Sequence, residues 1–152
     1  MAVTPNGKYA VSGAFDQSIK IFDLEGKQQV HEFKGIHKSR FLSLNILSPF
    51  IEEIRTIAIS PDGKYIISGS YDRSIKILDF ETKQQVHCFE NAHDGNIMKV
   101  LISSDGRLLV SCAEDKSVKM FDLQSRQEMY TLKDICSSYS SKIVSKLLNR
   151  LK

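Results

Sequence analysis

Residues 61–89 read PDGKYIISGSYDRSIKILDFETKQQVHCF. The stretch opens on Pro61-Asp62-Gly63, a turn in which proline pre-sets φ and glycine accepts a positive one. Tyr65-Ile66-Ile67-Ser68 follows as a short β-branched run, with a break predicted at Gly69-Ser70-Tyr71-Asp72. Ser74–Asp79 resumes the extended pattern, where Ile75 and Ile77 alternate with Ser74, Lys76 and Leu78 and so distinguish two faces. A polar turn at Glu81-Thr82-Lys83 leads into Gln85–Phe89, again with apolar residues two apart. The stretch predicts a meander of three short antiparallel strands.

The same grammar occurs twice more. PNGKYAVSGAFDQSIKIFDLEGKQQVHEF begins at Pro5 and SDGRLLVSCAEDKSVKMFDLQSRQEMYTL at Ser104, and both align on the middle copy without a gap. The second and third copies lie about 43 residues apart, inside the roughly 40–45 expected for four-stranded propeller blades. A further inner strand is predicted before two of the copies, at Ile54–Ile59 and Ile97–Ile102. Ala2-Val3-Thr4-Pro5 matches Ala58-Ile59-Ser60-Pro61, so the chain is expected to begin inside a blade. The other predicted strands are Tyr9–Ser12, Ser18–Phe22, Gln29–Phe33, Leu108–Ser111, Val118–Phe121 and Glu128–Leu132.

With the copies aligned, the sequence resembles WD-repeat β-propellers. A turn aspartate recurs as Asp16, Asp72 and Asp115. The position of the Trp-Asp dipeptide holds Phe22-Asp23, Leu78-Asp79 and Phe121-Asp122, and the chain has no tryptophan. The repeat histidines are His37 and His93, preceded by Ile36 and Ala92 rather than glycine. The resemblance implies an all-β fold: a partial propeller of about three four-stranded antiparallel blades. The expected units are a clipped first blade at 1–37, a second at 52–92 and a third at 93–136, with an insertion loop at 39–51. A short C-terminal amphipathic helix is expected in the tail, 137–152. Propellers close with about 4–8 blades. Missing blades from a longer chain, self-association or another protein are therefore expected, the first being preferred.

The resemblance also implies a structural hydrogen-bond network, His37-Ser68-Asp72 and His93-Ser111-Asp115, with Asp16 as its member in the first blade and that blade's histidine expected before Met1. Phe22, Leu78 and Phe121 cannot supply the indole hydrogen bond, at a loss of roughly 0.5–1.5 kcal/mol each. The same Ser, His and Asp residues have the composition of a hydrolase triad. Catalysis needs no tandem copies, however, and Ser68 is predicted to lie mid-strand, away from any oxyanion hole.

Bulky residues stand just before each turn aspartate, at Phe15, Tyr71 and Glu114. A tight turn prefers small polar residues, so either packing on a neighbouring blade or recognition keeps them there. By the resemblance these turns open onto one partner-docking rim, and aromatic and arginine side chains are the usual interface anchors. Tyr71 with Arg73 is the first expected hot spot, followed by Phe15 with Gln17 and Glu114 with Lys116.

Bulk properties exclude several other roles. The 152 residues are 41% hydrophobic and 26% charged, with a net charge of +3. These values suit one ordinary globular domain and give no reason to expect a nucleic-acid partner. No run is long and apolar enough for a membrane span, and the first residues carry no secretory pattern. Cys88, Cys112 and Cys136 are expected to be apolar fillers in a reducing compartment, cytoplasmic with the nucleus as alternative. His31, His37, His87 and His93 repeat a spacing rather than form a metal site, and no phosphate loop is present. No cofactor, metal or small-molecule substrate is expected.

Two segments stand outside the repeat. Removing Ser39–Ile51 (SRFLSLNILSPFI) restores the alignment of the second copy on the third. This apolar insertion reads as a packed loop or untrimmed coding sequence, with a docking loop as the other reading. In Lys142–Lys152, Ile143, Val144, Leu147, Leu148 and Leu151 share one helical face, with Lys142, Lys146, Arg150 and Lys152 elsewhere. Packing on the open last blade is the preferred reading, with membrane-surface or groove binding as the alternative. The expected function is a non-catalytic scaffold binding other proteins. A propeller-borne hydrolase and a nucleic-acid-associated subunit are the alternatives.

Overall fold

The computed structural model describes residues 1–37 and 53–134. The insertion loop at 39–51, the tail at 137–152 and Cys136 lie outside the described residues. Among the described residues, twelve strands form three four-stranded antiparallel sheets. The first sheet holds β1 (Ala2–Val3), β2 (Tyr9–Gly13), β3 (Ile19–Asp23) and β4 (Gln28–Phe33) in sequence order. The second holds β5 (Ile54–Ile59), β6 (Tyr65–Ser70), β7 (Ile75–Asp79) and β8 (Gln85–Phe89). The third holds β9 (Ile97–Ile102), β10 (Leu108–Ala113), β11 (Val118–Asp122) and β12 (Gln127–Leu132).

Local chemistry dictates the repeated meander. Gly7, Gly63 and Gly106 adopt φ of 70°, 75° and 74° in the turn after each inner strand, a region in which only glycine is unstrained. The preceding hydroxyl closes that turn: the Tyr65 N–H donates to Ser60 Oγ at 2.8 Å, and the Leu108 N–H to Ser103 Oγ at 2.9 Å. At the end of each third strand an aspartate caps the next turn. Asp79 Oδ1 accepts from the Glu81 and Thr82 N–H groups at 2.9 and 2.8 Å. Asp23 and Asp122 do the same in their sheets.

Register repeats with the sequence. Ser12 faces Lys20, Ser68 faces Lys76 and Ser111 faces Lys119. A bulge interrupts the last pairing at one equivalent place in every sheet, between Ile21 and Phe22, Ile77 and Leu78, and Met120 and Phe121. Bulges raise the local twist, so all three sheets bend alike and stack.

The core lies between sheets. Val11, Ile19, Ile21, Ile57, Ile66 and Leu78 fill the junction of the first and second, while Ile67, Ile75, Ile77, Val100, Leu109 and Phe121 fill that of the second and third. The sheets approach closely because two strand ends carry glycine. A Cβ at Gly13 would stand 2.5 Å from Ile54 Cγ2, and one at Gly69 would stand 2.7 Å from Ile97 Cγ2. A hydrogen bond from the Val100 N–H to Thr56 Oγ1, 3.2 Å, adds a polar tie across the second junction.

One detail of the sequence reading needs correction and one needs completing. The break predicted at Gly69-Ser70 is strand: β6 continues to Ser70, Gly69 pairs with Ile75, and the glycine marks a close approach rather than a turn. The face that Leu78 shares with Ser74 and Lys76 is also an inward one, since Leu78 is fully buried. A middle blade is covered on both faces, so period-two alternation separates two cores there rather than core from water.

Candidate functional site

The second and third sheets each contain a clamp built from four side chains. His37, in the connection before β5, is completely buried. Its Nδ1 lies 2.8 Å from Asp72 Oδ2 and 3.0 Å from Ser74 Oγ, and its Nε2 lies 2.8 Å from Ser68 Oγ on β6. Asp72 Oδ1 in turn accepts from the Ser74 N–H at 2.9 Å and from its hydroxyl at 2.7 Å. His93 repeats the arrangement: Asp115 Oδ2 at 3.0 Å, Ser117 Oγ at 2.9 Å and Ser111 Oγ at 2.7 Å. Here Asp115 Oδ2 also accepts from the Asp94 N–H at 3.0 Å. Each clamp ties the connection before a sheet to its second strand and to the turn beyond.

Asp16 occupies the equivalent turn of the first sheet and makes a smaller set of bonds. Its Oδ1 accepts from the Ser18 N–H at 3.0 Å and hydroxyl at 2.5 Å, and Lys20 Nζ stands 3.8 Å from Oδ2. Among the described residues no histidine bonds it. The structure thus brings His37, Ser68 and Asp72 together, and His93, Ser111 and Asp115, but leaves Asp16 in a local turn. Ser74 and Ser117, joined by Ser18, are members that the sequence reading missed. Their signal was the triplet Asp-x-Ser, present at 16–18, 72–74 and 115–117.

The clamps are electrostatically consistent. Burial pushes the Asp115 carboxyl up, yet the Ser117 hydroxyl and N–H, His93 and the Asp94 N–H outweigh it and hold the group at about 2. Burial likewise acts upward on Asp72, and His37 with Ser74 reverses it to leave the carboxyl below its usual value. For His93 burial wins over the attraction of Asp115, so the imidazole sits below the ordinary histidine value. Ser68 and Ser111, which bond the two Nε2 atoms, are fully buried, which leaves their hydroxyls no approach for a substrate carbonyl.

The predicted contact residues lie in the turns beside these clamps. Phe15 is 63% exposed. Tyr71 is half-buried; its N–H donates to the Glu53 carbonyl at 3.1 Å and the Arg55 guanidinium sits 5.8 Å from its ring centroid. Arg73, Glu114 and Lys116 are exposed. Arg55 was missed because its partnership with Tyr71 arises from the fold rather than from sequence proximity. Gln17, Arg73 and Lys116 follow the three turn aspartates with φ of 64°, 67° and 64°. Left-handed backbone costs an L-residue roughly 1 kcal/mol, and all three turns carry a long side chain where glycine would relieve it. The turns and adjoining segments carry charges of both signs, Glu53, Asp94 and Glu114 as well as Arg55, Arg73 and Lys116.

The histidines of the outer strands do other work. His31 and His87 make edge-to-face contacts with Phe33 and Phe89, both at 4.5 Å between centroids. Among the described residues no group of three or more His, Cys, Asp or Glu side chains is placed to hold a metal. No helix among them is long and apolar enough to cross a membrane.

Comparison with known proteins gives a consistent pattern. A family model described as WD domain, G-beta repeat matches residues 1–23, 45–79 and 83–122. Striatin of Homo sapiens is 35% identical over 78 residues, covering 51% of the chain and 9% of striatin. The U3 small nucleolar RNA-associated protein 15 homolog of Gallus gallus is 31% identical, over 58% of the chain and 22% of that protein. The crystal structure of the RRP9 WD40 repeats superposes with a TM-score of 0.75 at 25% identity, covering 87% of the chain and 37% of that structure. The structure of U3-55K gives 0.74 at 26%, covering 87% and 38%. The chain therefore spans well under half of each.

Proposed function

Since the chain belongs to the WD domain, G-beta repeat family, we propose that it is a non-catalytic scaffold whose rim of Phe15, Tyr71, Arg73, Glu114 and Lys116 docks another protein of a larger assembly. The exposed Phe15 ring is the observation that carries this reading. In this reading the buried Ser-His-Asp clamps hold the turns in place rather than perform hydrolysis, and no cofactor or small-molecule substrate is involved.

The assembly is one that handles RNA. Support comes from the likeness to a protein named for U3 small nucleolar RNA association and to U3-55K. That likeness favours the nucleus over the cytoplasm expected from the sequence, and it reopens nucleic acid as a partner of the assembly. The chain itself is read as touching protein, because its rim mixes charge signs where a phosphate-binding surface gathers cations.

Affinity capture with the full-length protein carrying Phe15→Ala and Tyr71→Ala tests the proposal. The expected result is at least a tenfold loss of partner recovery with circular dichroism and solubility unchanged. Undiminished recovery overturns the rim, and recovery that depends on added RNA overturns the protein-contact reading.

A further inference from the structure

The two junctions between sheets carry the same rings on their outer strands, but a cation bridges only the second. There His87 stands edge-to-face on Phe89, and the Phe89 ring lies 4.5 Å from that of Phe121 in the third sheet. Arg126, in the turn between β11 and β12, reaches back to the second sheet, where its Nη1 donates to the Val86 carbonyl on β8 at 2.9 Å. Val86 is half-buried against the core of that junction. At the first junction His31 and Phe33 repeat the ring contact, but the counterpart of Arg126 is Lys83. The two residues share a left-handed backbone, with φ of 57° and 59°, so the difference lies in the side chain. The Lys83 ammonium turns back on its own sheet, donates to the Phe80 carbonyl and sits 4.0 Å from the Phe80 ring centroid. Val30, the counterpart of Val86, is left 44% exposed.

The bridge ends one residue from an imidazole. His87 is half-buried, pairs with Ile77 on β7 and shares its face of β8 with Gln85 and Phe89, so neither strand sets a charge beside it on that face. The third sheet does. Burial, and after it the Arg126 guanidinium, hold the imidazole below the ordinary histidine value. Asp122, in the same turn as Arg126, is committed to the Gln124 and Ser125 N–H groups and faces Arg107. A proton on His87 therefore adds a second positive charge at the corner where the guanidinium is bound, and like charges oppose each other. The relation is reciprocal: what Arg126 takes from the proton affinity of His87, the proton takes from the hold of Arg126.

We propose that Arg126 latches the second junction at its outer strands and that protonation of His87 loosens the latch, because two cations then crowd one corner. The sign follows from the free value of 6.5, which lies above the folded one: the latch holds fully above that pH and weakens as the pH falls below it. The first junction, whose cation stays on its own sheet, has no such release. The latch ties β8 to the β11–β12 turn and does not depend on the docking role of the rim.

Urea unfolding of the full chain at about pH 7.5 and about pH 5.5 measures how far Arg126→Gln raises the unfolding constant, both in the unaltered protein and in a His87→Gln background. The contribution of His93 is common to the members of each pair and cancels. The latch predicts a rise of about fivefold at the higher pH and less than about twofold at the lower, with equal rises at the two pH values once His87→Gln is present. In a parallel NMR titration the His87 imidazole is expected to take up its proton at a higher pH in Arg126→Gln than in the unaltered protein. No rise at the higher pH overturns the latch. Equal rises at both pH values in the unaltered protein, a pH dependence that survives His87→Gln, or a His87 titration that Arg126→Gln leaves in place overturns His87 as its release.

Discussion

The first and third sheets each keep one of two devices that the second sheet combines. The first has the close glycine contact, Gly13 against Ile54, but among the described residues its turn aspartate Asp16 pairs with Ser18 and Lys20 and with no histidine. The third has the full clamp, His93 with Ser111, Asp115 and Ser117, but carries Cys112 where glycine stood. The devices are therefore separable. The clamp works within one sheet and fixes the turns that form the rim, whereas the glycine works between sheets and sets how closely they stack.

The glycine half of the comparison has the larger expected effect. Gly69→Val forces a branched side chain toward Ile97 Cγ2 and Val100 Cγ1, and overpacking of this kind costs about 3 kcal/mol. Cys112→Val is a modest change of volume and costs under about 1.5 kcal/mol. Urea denaturation of the two variants measures the difference. Equal costs would mean that the glycine does not set the stacking distance.

Acidification probes the clamp half. The folded value of His93 lies below its free value of 6.5, so the unfolded chain takes up that proton first. Stability is full above pH 6.5 and declines as the pH falls below it. Asp115, at about 2 against a free value of 3.8, contributes stability that is complete above 3.8 and lost as the pH falls toward 2. Asp72 acts in the same direction. Two successive losses are expected in the midpoint of thermal unfolding against pH, and His93→Gln diminishes the first, leaving the share of His87, whose imidazole burial and Arg126 also hold below the ordinary value. A midpoint that is flat from pH 7 to 5 in the unaltered protein would break the account of His93.

Much of this architecture was legible in the sequence, because a repeat states each element three times. Pro61-Asp62-Gly63 announced its turn, and all three sheets appear where the copies placed them. Contacts between copies were harder to read. Gly69 looked like a break because local grammar cannot show that Ile97, in the next copy, needs the space. Around Leu78 the alternation marked two faces without saying that both are covered. In the candidate site, the pairing of His37 with Asp72 came from the resemblance, while Ser74 and Ser117 were overlooked although their triplets were in view. Arg55 beside Tyr71 carried no signal, since only the β5–β6 pairing brings them together.

A double-mutant cycle puts the clamp itself to the test. The unfolding free energies of the unaltered protein, His37→Ala, Asp72→Ala and the double variant yield one coupling, and replacing Asp72→Ala by Asp16→Ala yields a second. A buried hydrogen bond between such groups predicts about 1.5–3 kcal/mol for His37 with Asp72, and less than about 0.5 kcal/mol for His37 with Asp16. Couplings equal within error, or no coupling between His37 and Asp72, would contradict the claim that these sheets are held by histidine clamps.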